Sequence, residues 1–158
     1  MKNRIAYIVL IVFIIILGVW IWSSMAENKD VSSLPDEDKL TVVEEERYYR
    51  IVQSEYLYYC QFYDRDSHVI KTEGPMNKQP RVDVVDDSLI QFTLQAGTGM
   101  GTQWGYYYNT NDGSFSDVFQ CIFDQFDGLV AYACADRIVV RDIFDKKGYY
   151  QEFDDFQY

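Results

Sequence analysis

Three stretches of the chain differ in their pattern of apolar and polar residues. An uncharged apolar run begins at Ile5 and ends at Trp22, residues 23–46 are polar and acidic, and residues 47–158 alternate short aromatic or β-branched runs with Asp, Asn and Gly. A helix over the first run spans about 27 Å, close to the hydrocarbon thickness of a bilayer. The pattern predicts a transmembrane helix at 5–22, an acidic linker at 23–46 and a domain at 47–158.

The residues that flank the apolar run predict its orientation. Lys2 and Arg4 lie in a four-residue segment, 1–4, which the positive-inside rule keeps in the cytoplasm, so that residues 23–158 lie outside the plasma membrane. Trp20 and Trp22 favour an interfacial anchor and hence an uncleaved, single-pass signal anchor. The alternative is a cleaved secretory signal, because small residues at 24 and 26 fit a cleavage site.

The acidic linker carries a weak helix signal. Ser33 followed by Asp36 fits an N-cap pair for a short helix through residues 36–46. The β-branched residues at 41–43 argue against that helix.

The region after Arg47 is typical of consecutive β-strands. Runs rich in Tyr, Phe, Val and Ile end at Asp, Asn or Gly, and no segment keeps a helical period. We therefore expect an all-β domain built from antiparallel meanders. The strands are predicted at 49–52, 68–71, 82–85, 104–109, 115–119, 118–123, 137–143 and 149–153, together with the strands inside the repeated segments described next.

An internal repeat appears within these strands. Residues 54–59, 87–92 and 127–132 align without gaps, at spacings of 33 and 40 residues, and each has two polar or turn residues, two apolar residues, a variable position and an aromatic. This pattern resembles four-stranded β-propeller blades. The resemblance implies successive antiparallel units over about residues 47–156. Since a closed ring usually needs four or more blades, three units imply a partial propeller, a sandwich or barrel-like packing, or assembly with other copies.

Charge narrows the classes of partner. The net charge is −11, and removing Lys2 and Arg4 leaves −13 beyond the membrane segment. The negative charge disfavours nucleic-acid binding, because phosphate recognition needs a basic face, and we expect no nucleic-acid partner. The membrane, through residues 5–22, and a basic protein are the expected partners, although acidity also serves plain solubility.

The cysteines and the single histidine give no metal or cofactor signal. Cys60, Cys121 and Cys134 lie in strand-like runs without a CxxC pair, and His68 is the only histidine, so that no zinc site is predicted. Asp64 and Asp66 resemble part of a calcium loop but lack its terminal Glu. A Cys121–Cys134 disulfide remains open.

No catalytic set is predicted either. Asp83, Asp86 and Asp87 cluster, but on a strand the first and last are about 13 Å apart, farther than glycosidase carboxylates. No Ser or Cys nucleophile motif is present. We expect a protein that is not an enzyme and has no cofactor.

The candidate binding residues are Trp104, Tyr106 and Tyr108. Alternate residues of a strand share a face, and an exposed aromatic strip suits a protein partner or a sugar ring. The same rings also suit a β core that is short of Leu. The expected function is a membrane-anchored extracytoplasmic interaction domain, of the accessory, inhibitor or immunity type. The alternatives are a small-ligand or cell-wall-glycan binding module and, less favoured, an extracytoplasmic hydrolase.

Overall fold

The computed structural model describes residues 34–95, 97 and 103–153. The predicted cytoplasmic segment 1–4, the transmembrane helix 5–22 and the linker residues 23–33 lie outside the described residues. Within the described part of the chain, no helix has the length and apolar character to cross a membrane. A 3-10 turn at Glu37–Lys39 precedes the strands, in place of the longer helix weighed for residues 36–46.

Antiparallel strands make up the domain, so that the predicted all-β class is confirmed. The strands are β1 Thr41–Glu45, β2 Tyr49–Ser54, β3 Leu57–Tyr63, β4 Val69–Met76, β5 Arg81–Val84, β6 Leu89–Gln95, β7 Gln103–Asn109, β8 Phe119–Phe126, β9 Leu129–Cys134, β10 Arg137–Asp142 and β11 Tyr150–Phe153. Strands β1–β4 form one sheet in chain order, and β5–β11 form a second, seven-stranded sheet, also in chain order. Within the residues that the structure describes, every paired strand is therefore next to its partner in the sequence.

The three repeated segments coincide with three hairpins. They cover the turns and second strands of β2–β3, β5–β6 and β8–β9. The Asp127-Gly128 turn has positive φ at both residues, as a two-residue type I′ hairpin requires. These hairpins lie in two open sheets of four and seven strands, and the propeller resemblance stays a prediction.

The predicted linker boundary at residue 46 needs correction. Strand β1 begins at Thr41 and pairs with β2, with Val42 opposite Val52. The β-branched Thr-Val-Val run explains this pairing, because such side chains suit an extended backbone better than a helix. The β-domain therefore includes six residues before Arg47. The predicted strand at 115–119 is also absent from the described structure, where Phe115 makes an isolated bridge to Tyr108.

The first core lies between the two sheets. Alternate residues of β2 and β3 point at alternate residues of β6 and β7, and aromatic rings fill most of the space between them. The buried members are Tyr49, Ile51, Cys60, Phe62, Met76, Ile90, Phe92, Tyr106 and Tyr108.

A second core lies on the opposite face of β6 and β7. Tyr107 and Leu89 project to that face and pack with Phe119, Val130 and Ile143 from the following segments. The second sheet must therefore curl back over itself. Between β7 and β8 the described pairing is limited to Trp104 with Gln120 and Gly105 with Phe119, which lets the sheet bend sharply there.

Candidate functional site

The structure places the predicted aromatic strip in the first core. Tyr106 is 1% exposed, Tyr108 is fully buried, and Trp104 is half-buried against the same cluster. The Tyr106 ring stacks on Phe92 with 4.9 Å between centroids. The three side chains do share one face, but the prediction of an exposed strip is wrong, because a second sheet covers that face. These rings stabilise the core instead of forming a contact surface.

The hydroxyl groups of Tyr106 and Tyr108 also make hydrogen bonds within the domain. The Tyr108 hydroxyl donates to the backbone carbonyl of Tyr63 at 2.7 Å, and the Tyr106 hydroxyl donates to the Glu73 carboxylate at 3.2 Å. The Lys71 ammonium lies 2.9 Å from Glu73 and 3.8 Å from the centroid of the Tyr106 ring. Burial, with Glu73 adding to it, raises the pKa of Tyr106 far above its usual range.

A polar groove lies where the second sheet curls over, between β5–β7 and β8. Its volume is about 320 Å³, within the usual range for small-molecule sites. The residues that line it, called the polar groove below, are Arg81, Asp83, Gln91, Thr93, Gln103, Ile122, Phe123, Asp124 and Gln125.

Strand register brings the floor of the groove together. Arg81 pairs with Thr93, and Asp83 pairs with Gln91, so that all four side chains lie on one face of β5 and β6. Opposite Thr93 on β7 stands Gly105, where a Cβ would lie 2.3 Å from the Phe92 carbonyl oxygen and 3.2 Å from Ile122 Cδ1. Only glycine fits this close approach of β7 to the Phe92 carbonyl and the Ile122 side chain.

The wall of the groove comes from an irregular strand. The register of β8 shifts twice against β9, between Gln120 and Ile122 and between Ile122 and Asp124. Cys121 has a φ of 47°, in the left-handed region. Such bulges re-aim side chains next to functional sites. They allow Phe123, Asp124 and Gln125, three consecutive residues, all to line the groove.

Charges in the groove are largely balanced. Arg81 Nε lies 2.8 Å from a carboxylate oxygen of Asp83. Gln91 donates to the Thr93 hydroxyl at 3.3 Å. Three neutral carboxamides, of Gln91, Gln103 and Gln125, make up the rest of the polar lining together with Asp124.

Tyr107 is a buried neighbour of the groove. It pairs with Gln91 across the β6–β7 ladder and so projects to the face that bears the groove floor. It is fully buried, and its hydroxyl has no hydrogen-bond partner among the described residues. Burial, assisted by the negative charge of Asp124, raises the pKa of this hydroxyl well above its usual range, so that Tyr107 is neutral.

The outer face of the β8–β10 region carries an apolar pocket of about 260 Å³. Its lining is Asp124, Gln125, Phe126, Leu129, Ala131 and Val140. The Phe126 side chain is 77% exposed. Register extends the same face through Ile138 to Phe153, which is 50% exposed. We call Phe126, Leu129, Ala131, Ile138, Val140 and Phe153 the apolar face; the pocket in it shares Asp124 and Gln125 with the polar groove.

The closeness of the Asp64, Asp66 and His68 side chains is explained by a hydrogen-bonded turn of the backbone. Ligand atoms of Asp64, Asp66 and His68 lie within 4.8 Å of one another. However, Asp64 Oδ1 accepts the backbone N–H groups of Asp66 and His68, the pattern of an Asx turn. These backbone hydrogen bonds lower the pKa of Asp64.

No disulfide joins the three cysteines, all of which lie in the described part of the chain. Cys60 belongs to the first core, and burial raises the pKa of its thiol far above the usual range. A thiol that stays protonated is a poor nucleophile. Cys121 and Cys134 are unbridged, and Cys134 is exposed.

The polar groove was missed from the sequence, although one signal for it exists. Polar residues alternate at 81 and 83 and again at 91 and 93, an alternation that marks a polar strand face. Comparisons of the chain with protein-family models, with curated proteins and with solved structures give no match.

Proposed function

We propose that this protein is a membrane-tethered, extracytoplasmic interaction domain without catalytic activity, and that its apolar face binds a basic protein. The observation that carries the proposal is the exposure of Phe126, at 77%, beside a pocket lined by Leu129, Ala131 and Val140. Exposed aromatic rings next to concave apolar surface are typical of interface anchors. The tether is the apolar run at 5–22.

Charge around the apolar face supports a basic partner. Among the described residues that line its pocket, Asp124 is the only charged side chain. Asp127 follows Phe126 in the turn, and Asp142 stands opposite Leu129. An apolar centre with a carboxylate rim complements an apolar side chain flanked by Lys or Arg. The overall charge of −11 would also accelerate encounter with such a protein.

Photo-crosslinking from single positions tests this proposal in the cells that make the protein. A photoreactive amino acid in place of Phe126 should crosslink to one protein. The same photoreactive amino acid in place of Tyr56 should not crosslink to that protein. Tyr56 is a matched control, since it is 69% exposed and lies in the β2–β3 turn of the other sheet. Equal capture from both positions would contradict a specific interface at the apolar face.

Binding of the purified partner then gives the energetic test. Replacing Phe126 with Ser should cost on the order of 2 kcal/mol of binding, since a buried aromatic anchor carries about that much. Replacing Tyr56 with Ser should change the affinity little. Added salt should mainly slow association, because screening weakens long-range steering more than apolar contact. An unchanged affinity for the Phe126 variant would refute the proposed surface.

A further inference from the structure

We propose that the polar groove is a second binding site, and that its ligand is a sugar unit of a neutral glycan. The floor of this site lies on β5–β7, outside the proposed protein interface, and the two described linings overlap only at Asp124 and Gln125 on β8. The inference rests on three properties of the described lining: its hydrogen-bonding groups, its charge balance and the exposed aromatic ring of Phe123.

Hydrogen-bonding capacity is the first property. Gln91, Gln103 and Gln125 each offer a carboxamide, which donates and accepts in one plane. The Thr93 hydroxyl and the Asp124 carboxylate add further acceptors. Sugar hydroxyls also donate and accept at adjacent positions, and a site that pairs with them rejects ligands without those hydroxyls.

Charge balance is the second property. Arg81 is the one cation among the described lining residues, and its guanidinium is paired with Asp83 at 2.8 Å. Asp124 leaves the lining with a net negative charge, which disfavours phosphate, sulfate and acidic sugars. Six of the nine described lining residues carry uncharged polar or carboxylate groups, a composition suited to a neutral polyol.

Shape and the aromatic ring complete the argument. A volume of about 320 Å³ corresponds to roughly ten water molecules at liquid density, enough for one sugar ring and part of its neighbour. Phe123 lines the groove and is half exposed, so that its ring is available to the apolar C–H face of a sugar.

Ligand-observed NMR and calorimetry with the full-length protein test the inference. The protein is kept in a detergent without a sugar headgroup, and the probes are maltotriose, cellotriose and chitotriose, with sialyllactose as the acidic comparison. At least one neutral trisaccharide should bind, and more tightly than sialyllactose. No binding of any neutral probe at millimolar concentration, or tighter binding of the acidic probe, would overturn the proposal.

Variants locate the binding. Gln103→Ala and Thr93→Val should each weaken the neutral sugar about five- to tenfold, since each removes a hydrogen-bonding group. Gln151→Ala is the matched control, because Gln151 is exposed on β11 and lies outside the groove lining. Circular dichroism checks that each variant folds; Gln103 is half-buried and tolerates change better than the buried Thr93. Equal weakening by the control would refute the location.

The protein-binding proposal and the sugar-binding proposal can be tested independently of each other. Phe126→Ser should leave sugar affinity unchanged, and Gln103→Ala should leave the affinity for the protein partner unchanged, since each residue lines only one of the two sites. Loss of sugar binding in the Phe126 variant would contradict a groove site.

Discussion

Replacing Tyr107 with Phe is expected to stabilise the domain, although Tyr107 is completely buried. Its hydroxyl has no hydrogen-bond partner among the described residues, whereas the ring packs in the second core about 6.0 Å from Phe119. Phe keeps that ring and removes only the oxygen. In the unfolded chain the substitution removes a hydroxyl that water solvates. In the folded chain it removes a buried hydroxyl that has lost its hydration.

The size of the effect follows from the cost of burying an unpaired polar group. That cost is about 1–3 kcal/mol, so that the free energy of unfolding should rise by roughly 1–2 kcal/mol after small losses of packing around the deleted oxygen. For a domain of this size, the melting temperature should rise by roughly 3–8 °C.

The two neighbouring tyrosines give matched controls of opposite sign. Tyr106 and Tyr108 are as buried as Tyr107, but each hydroxyl donates a hydrogen bond, to Glu73 and to the Tyr63 carbonyl respectively. Tyr106→Phe and Tyr108→Phe should each lower the free energy of unfolding by about 1 kcal/mol.

Urea denaturation of the three variants, followed by intrinsic fluorescence and circular dichroism, measures these differences. The midpoint should rise for Tyr107→Phe and fall for the other two, with unchanged slopes. A loss of more than about 1 kcal/mol in Tyr107→Phe would refute the reasoning, because it would mean that the hydroxyl makes a favourable contact in the folded protein.

Three further predictions concern the core, acid stability and topology. Trp104→Ala should lower the free energy of unfolding by about 2–4 kcal/mol, because the ring packs against Phe92. Titration of the folded fraction with the partner should give an unchanged affinity. Weaker binding by a fully folded variant would instead make Trp104 a contact residue. Hydrogen bonds from Lys146 and Arg141 lower the pKa of Asp117 in the folded protein. As the pH falls below about 4, the Asp117 carboxyl is therefore protonated in the unfolded chain before it is protonated in the folded protein. The stability difference between the wild type and Asp117→Asn should therefore shrink from pH 6 to pH 3 in urea titrations, and a constant difference would contradict this. Protease added to intact cells should remove the β-domain, and complete protection would exclude the proposed topology.

Strand positions were predictable because their signal is local. The alternation of β-branched and aromatic residues with Asp and Gly turns sits inside each hairpin, as at Asp127-Gly128. Strand β1 was missed because acidic residues surround its three β-branched ones, and its pairing with Val52 depends on a partner strand. Strand propensity alone was therefore not enough to predict β1.

Exposure was not predictable from the same pattern. The sequence places Trp104, Tyr106 and Tyr108 on one face, but whether that face meets water depends on β2 and β3, about fifty residues earlier. The polar groove has the same difficulty. Its floor at Arg81 and its wall at Phe123 come together only because the sheet bends between β7 and β8, and nothing in the local pattern marks a bend.

The meander order of both sheets has a consequence for how the chain reaches its fold. Because each described strand pairs with its neighbour in sequence, none of these eleven strands waits for a distant partner, and the sheets can grow one hairpin at a time. The loop-closure entropy of each step stays small, whereas a Greek-key arrangement would close long loops before gaining contacts. We expect an all-β protein that folds faster than its class usually does, and that can begin folding from β1 while its last strands are still being made.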